Sequence, residues 1–579
     1  MSGKGSANQL RCGRPIAMPL KMMPPDLARY NLLVVSDLHL SEGTRPATKK
    51  YSTREDFFFD HEFARFLAHY RDPQRWEGKS WHLIINGDLL DFLQVTTYAD
   101  APEDLRRASR HLRYGLDCGE RETVYKLGKI VEGHKEFFLS LAEFVACGHL
   151  LTVIKGNHDV EFHYPAVRAA FLAQLKDVYA SEHQDEVTLA AKIDAGSVRF
   201  SDWFYYEPGL LWIEHGQQYD DVNVFPYQLS PLLPRNAKWA EARANEIDLP
   251  WGSLFVRYLF NDIEAVEPFA DNIKPQTEFV RWLYRHHPMM ALKFGIFGTK
   301  FLLEKLRRAW VPANPSAYAL RREEHEAHLK QLATEQGIAE SDLRYLDGLR
   351  AKSLLKETSP LGWRIARWVL RWHLLRFLLV LACVLSAIGV VVAVSPLLAA
   401  VIPGSVRYLL WDRWNTGSTG AVLGYAVSLI RWFVFPIVIA VNAGFVTWLF
   451  AGRPNKSLDA LAQNAHRIVH RLQVKSVLMG HTHDADLQSI GDNGQEYFNT
   501  GTWTKVFSEE ERLIRNDIEF VFVQGLRTDE ALQLKLMEWD DAAQEPRLLK
   551  LFEDSPSRLA RSHPASASGA SFSRRESRR

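Results

Sequence analysis

Cysteine is scarce in this chain: Cys12, Cys118, Cys147 and Cys383 are scattered through 579 residues without paired spacing. That pattern excludes a disulfide framework and a thiolate metal site, and it fits a reducing compartment. Charge of one sign is not in excess either, since 70 Lys and Arg against 69 Asp and Glu give a net +1. No basic footprint marks nucleic acid as a partner, and none is expected. The first thirty residues carry Lys4, Arg11, Arg14 and Lys21 but no apolar stretch long enough for a secretory signal, and Cys12 lacks the apolar run that a lipid-anchored cysteine needs before it. A loose tail over residues 1–28 that stays on the side where it was made is the expectation. The length exceeds one ordinary domain, so two or three structural units are expected.

What the chain does contain is a series of short apolar runs that end in metal-binding side chains. The run Asn31–Val35 is followed by Ser36-Asp37-Leu38-His39, and period-two alternation points Asp37 and His39 the same way. Four later stretches repeat the theme: Asn86-Gly87-Asp88, Gly156-Asn157-His158-Asp159, His215-Gly216 and Gly480-His481-Thr482-His483. The strand-like runs ahead of them are Trp81–Ile85, Leu150–Lys155, Leu210–Glu214 and Val474–Met479. Ligand-type residues at successive strand ends converge on one sheet edge, where open α/β folds place their ligands. Asp91, Asp220 and Asn223 lie close to these motifs and either shape a pocket or fix loops.

Between the motifs, Phe58–Tyr70 and Glu122–Ala146 read as amphipathic helices, the second as one long element. An Arg-rich segment with Arg106, Arg107, Arg110 and Arg113 is placed to cap the site. Val187–Ile193, Val198–Trp203 and Leu210–Glu214 read as strands. The region from Phe225 to Leu355 is mostly helical by pattern, and His286, His287, His325 and His328 read as surface residues. His466 and His470, four apart on a helix, read the same way. Phe377–Ile402 is an apolar run of about 26 residues, and Trp432–Phe450 one of about 19, each long enough for a membrane span. Arg364, Arg367, Arg371 and Arg376 before the first run, interleaved with Trp363, Trp368 and Trp372, predict an interfacial helix; with Arg453 and Lys456 after the second they predict cytoplasmic ends. The resulting expectation is a multi-pass protein of the inner (cytoplasmic) membrane, with the bilayer as a partner and the site facing the cytoplasm. Beyond the last motif, strands over Gln495–Asn499, Phe520–Val523 and Leu532–Met537 complete a core, and the Ser/Arg-rich end is expected to be disordered.

Four histidines, two aspartates and one asparagine form a mixed N/O donor set suited to Mn, Fe, Zn or a similar divalent ion. A carboxylate has two oxygens, so Asp88 is the natural bridge between two cations, an arrangement that activates a hydroxide and clamps both oxygens of an in-line displacement at phosphorus.

These residues resemble the calcineurin-like metallophosphoesterases, whose five blocks run D-x-H, G-D, G-N-H-D/E, H and G-H-x-H. The matching positions are Asp37 and His39, Gly87-Asp88, Gly156-Asn157-His158-Asp159, His215, and Gly480-His481 with His483. The resemblance covers roughly residues 29–225 and 458–537. It implies one cation held by Asp37, His39, Asp88 and His483, and a second by Asp88, Asn157, His215 and His481. It also implies that His158 stabilises the transition state or protonates the leaving oxygen, with Asp159 orienting it. Ser36–Leu40 and Asn86–Phe92 look like the branch that contains the UDP-2,3-diacylglucosamine pyrophosphohydrolases, although that branch has Arg at the position of His158 and Asp at that of Gln217. The fold class implied is α/β: an αββα sandwich interrupted by a helical insert that contains a two-span transmembrane hairpin.

The expected organisation is thus a tail (1–28), a first core part (29–225), a helical insert (226–360), an interfacial helix with the hairpin (361–450), a second core part (451–545) and a tail (546–579). The expected activity is a membrane-anchored, two-metal phosphoesterase acting on a phosphorylated substrate, either lipid-linked or a nucleotide. Two alternatives stay open: a non-catalytic membrane scaffold or accessory protein that binds metal or a phosphorylated ligand, and an enzyme whose apolar hairpin packs inside an oligomer.

Overall fold

The computed structural model describes residues 29–45, 48–108, 112–185, 187–233, 245–261, 318–353, 456–491, 494–504, 507–508, 513–514, 520–528 and 531–550. In chain order the strands are β1 (Asn31–Val35), β2 (Thr44–Arg45), β3 (Lys50–Tyr51), β4 (Trp81–Asn86), β5 (Leu150–Ile154), β6 (Val198–Ser201), β7 (Phe204–Glu207) and β8 (Leu211–Glu214). They continue as β9 (Ser476–Met479), β10 (Asp486–Ser489), β11 (Glu496–Asn499), β12 (Phe507–Ser508), β13 (Leu513–Ile514), β14 (Val521–Arg527), β15 (Leu532–Asp540) and β16 (Glu545–Leu548). The helices are α1 (Asp60–Arg71), α2 (Glu103–Ala108), α3 (Glu120–Gly133), α4 (Lys135–Ala146), α5 (Pro165–His183), α6 (Val187–Asp194), α7 (Trp251–Phe255), α8 (Ala319–Gln336), α9 (Glu340–Asp347) and α10 (Lys456–Leu472).

Two mixed sheets carry the architecture. One has seven strands in the order β16-β15-β14-β1-β4-β5-β6, the other five in the order β10-β11-β9-β8-β7. In the first, β1, β4, β5 and β6 run parallel, and β14 closes antiparallel on β1. In the second, the central pair β8 and β9 is parallel, as is β9 with β11. Period-two alternation assigns the faces. Leu32 and Val34 of β1 pack with Ile84, Ile154, Leu211, Ile213, Leu478 and Phe498 in the core between the sheets. Their neighbours Leu33 and Val35 join Leu83, Ile85, Leu151 and Val153 against Phe63, Phe137, Leu141 and Phe171 of α1, α4 and α5. On the far side, Trp212, Val477 and Met479 pack on Leu461, Ala465 and Ile468 of α10 and on Leu329 and Leu343 of α8 and α9. The central strands β1, β4, β5, β8 and β9 are thus buried on their sheet faces, which is why they read as continuous apolar runs.

The expected two-span transmembrane hairpin, and with it the multi-pass membrane location, is corrected: among the described residues no helix is long and apolar enough to cross a membrane. Charge rules out the two longest described helices. The 19-residue α5 carries Arg168, Lys176, Asp177 and Glu182, and the 18-residue α8 carries Arg321, Arg322, Glu323 and Glu324. The apolar runs over 377–402 and 432–450 and the Trp/Arg segment before them lie outside the described residues.

Three further expectations change. Val187–Ile193 is helix α6, with Leu189 and Ile193, one turn apart, on its buried face, so a short pattern of mixed period folded as a helix. His325 is 1 % exposed rather than a surface residue; its ring accepts from the Leu229 amide at 3.3 Å and lies 3.2 Å from Asp347. The long helix over Glu122–Ala146 is broken at Gly133 and His134 into α3 and α4. A Cβ at Gly133 would stand 2.0 Å from the Glu42 carbonyl oxygen, so a loop from the first motif is seated against the break.

His134 explains the break. It leaves the helical conformation (φ −121°, ψ 38°), and its buried ring lies between two carboxylates, with Nδ1 2.9 Å from Asp60 and Nε2 3.2 Å from Glu55. Glu55 in turn accepts from the amides of Ser41, Gly43 and Phe57, fixing the loop that follows His39. Burial alone depresses the His134 pKa, but Glu55 and Asp60 outweigh it and raise the ring to about 10. A raised folded-state value means that the stability from the charged ring is complete below the unfolded value near 6.5 and is lost as pH rises through about 10. The melting temperature is therefore expected to fall between about pH 7 and 10, with that part of the fall abolished in His134→Gln. Identical pH slopes in both proteins would refute this role.

Candidate metal centre

All five motifs sit on the loops that leave the C-terminal ends of parallel strands: β1, β4 and β5 in one sheet, β8 and β9 in the other. The loops are tied by backbone bonds, with the amides of Leu38 and His39 donating to the Asp88 carbonyl and that of Asp37 to the Gly87 carbonyl. Asn86 Nδ2 donates across to the Glu214 carbonyl at 3.0 Å, joining the two sheets directly beneath the site.

The ligand candidates occupy backbone conformations that L-residues avoid. Asp37, His39, Asp88, His481 and His483 have φ of 54°, 56°, 51°, 72° and 63°, so half of the ten positive-φ non-glycine residues described belong to this one site. Such conformations each cost on the order of 1 kcal/mol or more and persist where the surroundings over-determine them. Glycine makes the approach possible at two points. A Cβ at Gly156 would lie 2.1 Å from Asp88 Oδ1, and one at Gly87 would lie 2.4 Å from the His215 ring.

The side chains then converge. Asp37, His39 and His483 form one group that could hold an ion, and Asp88, His215 and His481 another. In the first, His483 Nε2 is 3.3 Å and His39 Nε2 3.9 Å from Asp37 Oδ1, and the two Nε2 atoms are 3.0 Å apart. Asp88 stands between the groups, its Oδ2 3.0 Å from His215 Nε2 and 3.9 Å from His39 Nε2. Asp37, Asp88, Asn157 and His215 are all essentially sealed from solvent, whereas His158, His481 and His483 are part-exposed and mark the open side.

The polar atoms left over fit a cation. Asn157 Oδ1 and His215 Nε2 are buried without a hydrogen-bond partner. His215 Nδ1 donates to the Asn86 carbonyl at 2.8 Å, so the neutral ring presents the lone pair of Nε2 toward Asp88. With Nε2 unprotonated, it and Asp88 Oδ2 are two electron-rich atoms 3.0 Å apart, a repulsion that a divalent ion bound to both would relieve. Without an ion, protons do the neutralising. Burial is the largest single influence on Asp37 and Asp88 and opposes charge, but the histidines together outweigh it, His215 with His39 and His483 at Asp37 and His215 with His158 and His39 at Asp88, and both carboxyls are held well below the usual range. Burial likewise depresses His215, yet Asp88 and Asp37 raise it to about 9. A bound cation would replace that proton.

His158 stands beside this pair, its ring 4.6 Å from that of His39 and its amide donating to Asp88 Oδ1 at 2.8 Å. Its Nδ1 is 2.5 Å from Asp91 Oδ2. The resemblance gave Asp159 the part of orienting His158. The structure instead places both Asp159 oxygens on backbone amides, those of Gly156 at 2.6 Å and Leu89 at 2.8 Å, so Asp159 locks two motif loops together while Asp91 holds the ring. Burial, with Asp88 nearby, pushes the Asp159 carboxyl up to about 7.

The site also has supports that sequence reading did not single out. Thr502 Oγ1 donates to the Asp37 carbonyl at 2.7 Å, Ser36 Oγ lies 2.5 Å from both Asp37 Oδ2 and Thr500 Oγ1, and Asn499 Nδ2 donates to the Gly480 carbonyl at 3.1 Å. The signal for them was a polar Asn499-Thr500-Gly501-Thr502 turn directly after a strand that neighbours β9. Glu214, fully buried beside His215, accepts from Trp203, Gln218 and Tyr219 and so fixes the loop after β8. Asp220, left open between pocket and loop, lies 3.2 Å from His481 Nε2 and also accepts from Asn223 Nδ2. Of the Arg-rich segment, Arg107 pairs with Glu103 on α2, a surface contact. His466 and His470 are exposed, their Nε2 atoms 3.1 Å apart.

Compared with known proteins, the chain matches no family model, no curated protein and no solved structure.

Proposed function

We propose that this protein is a metal-dependent hydrolase of phosphoester or pyrophosphate bonds that works with two divalent cations of the Mn, Fe or Zn type. The observation that carries the proposal is the convergence of six aspartate and histidine side chains from four loops into two groups, five of the six in left-handed backbone, with the buried Asn157 Oδ1 and His215 Nε2 left without a hydrogen-bond partner. Asp37, His39 and His483 would hold one ion, Asn157, His215 and His481 the other, with Asp88 serving both. Bound there, the ions supply Lewis acidity toward phosphorus and a nucleophile at neutral pH.

The remaining work falls to the chain itself. The sealed carboxylates of Asp37 and Asp88 match the positive charge in a water-poor setting, where electrostatic interactions are stronger. The Asp91 carboxylate accepts the Nδ1 proton of His158 and fixes the ring, which is part-exposed on the open side of the site. There His158 steadies the charge that develops on the phosphoryl group or gives a proton to the departing oxygen. No covalent link to the enzyme is needed.

The test is a panel of phosphomonoesters, phosphodiesters and pyrophosphates offered to the full chain loaded separately with Mn2+, Fe2+ and Zn2+. Release of phosphate or of a nucleotide that stops on chelation and returns with metal is the expected result. Uptake of about two ions per chain with no hydrolysis across the panel would sink the enzymatic reading and leave a binding role for the same site.

A further inference from the structure

The rings of His215 and His481, 5.3 Å apart in the group that includes Asp88, are held in opposite ways. His215 gives its Nδ1 hydrogen to a backbone carbonyl at 2.8 Å. His481 instead turns Nε2 to a carboxylate, Asp220 Oδ2, at 3.2 Å. A carboxylate only accepts, so the hydrogen sits on Nε2 and the neutral ring retains a single lone pair, on Nδ1. We propose that Asp220 is the positioning residue of the second cation site: it fixes the tautomer and rotation of His481, so that His481 meets the ion through Nδ1 while His215 meets it through Nε2. This rests on the two-cation reading above.

Three observations support a built contact rather than a passing one. Asp220 is held at both oxygens, Oδ1 accepting from the Val222 amide at 3.0 Å and Oδ2 from Asn223 Nδ2 at 2.9 Å. The turn that carries it is closed by the Val224 and Asn223 amides on the Asp220 carbonyl, and α7 seals it, since a Cβ at Gly252 would stand 2.0 Å from Asn223 Oδ1. At the other end, the His481 amide donates to Asp37 Oδ2 at 3.0 Å in a left-handed backbone, which leaves ring rotation as the freedom still to be fixed. A carboxylate on the distal nitrogen of a ligating imidazole also raises the basicity of the proximal one, and losing such a partner costs about 10- to 100-fold in metal affinity.

The experiment is a Mn2+ titration of the chelator-stripped full chain by equilibrium dialysis, for wild type, Asp220→Ala, Asp220→Asn, His481→Ala and the double variant Asp220→Ala with His481→Ala. The wild type takes up about two ions; in Asp220→Ala one of the two binding steps weakens by about 10- to 100-fold and the other holds. Asp220→Asn stays within about threefold of wild type, because a carboxamide oxygen accepts the same N–H. In the His481→Ala background, Asp220→Ala has no further effect. The inference is overturned if Asp220→Ala binds both ions as wild type does, if Asp220→Asn is as weak as Asp220→Ala, which would mean that the charge of Asp220 and not its hold on the His481 ring is what the ion senses, or if Asp220→Ala still weakens binding without His481. A wild type that takes up no Mn2+ overturns the two-cation reading itself, a separate outcome.

Discussion

Asp88→Asn is expected to lower turnover by about 1000-fold or more, equivalent to roughly 4 kcal/mol of barrier, and to reduce metal content from about two ions per chain to one or fewer. Asp88 Oδ2 lies within 4 Å of one histidine from each ligand group, so its carboxylate is the shared element. An amide supplies one oxygen and no charge, and therefore cannot serve two cations equally. The substitution also has a signature that needs no metal. In the stripped protein His215 titrates near 9 because Asp88 and Asp37 hold it up against burial. With Asp88 neutralised the His215 pKa moves down, readable by NMR of the imidazole, while the circular dichroism spectrum stays that of the wild type. An Asn variant that keeps both ions and full turnover would end the account of a bridged pair.

His158→Ala is expected to slow hydrolysis by about 100- to 10,000-fold, the range general acid catalysis commonly contributes, at unchanged metal content. Its ring is not among the seven donors, and its Nδ1 is committed to Asp91. The loss should be largest for alkyl leaving groups, which leave as strong bases, and should shrink for a nitrophenolate, which departs without a proton. Asp91→Asn acts on the same proton through the ring, so its effect is smaller, and the double variant is no worse than His158→Ala alone. Such non-additivity is the mark of groups that work as a unit. Equal losses for good and poor leaving groups would move His158 from proton donor to a purely electrostatic part, and additive losses would separate Asp91 from it.

The donors were legible because each ends a strand. An apolar run of about five residues with Asp or His directly after it states both where the strand stops and what it delivers, and β1, β4 and β5 then pair in parallel so that their ends align. The supports were less legible for two reasons. Asp91 meets His158 across 67 positions and Asp220 meets His481 across 261, separations over which sequence spacing carries no geometric information. The two carboxylates near His158 also look alike in the sequence, and only the loop path sends Asp159 to the amides of Gly156 and Leu89 and Asp91 to the ring.

Residue order alone determined the buried strands, the mixed N/O donor set and its place at strand ends, because alternation of side chains and donor chemistry are local properties. The tertiary structure decided what depends on distant contacts: the break at Gly133–His134, where a loop and two carboxylates outweigh helical periodicity, and the helical state of Val187–Asp194. It also decided that His215 turns Nδ1, and His481 Nε2, to an oxygen acceptor, since each acceptor is brought to its ring by folding.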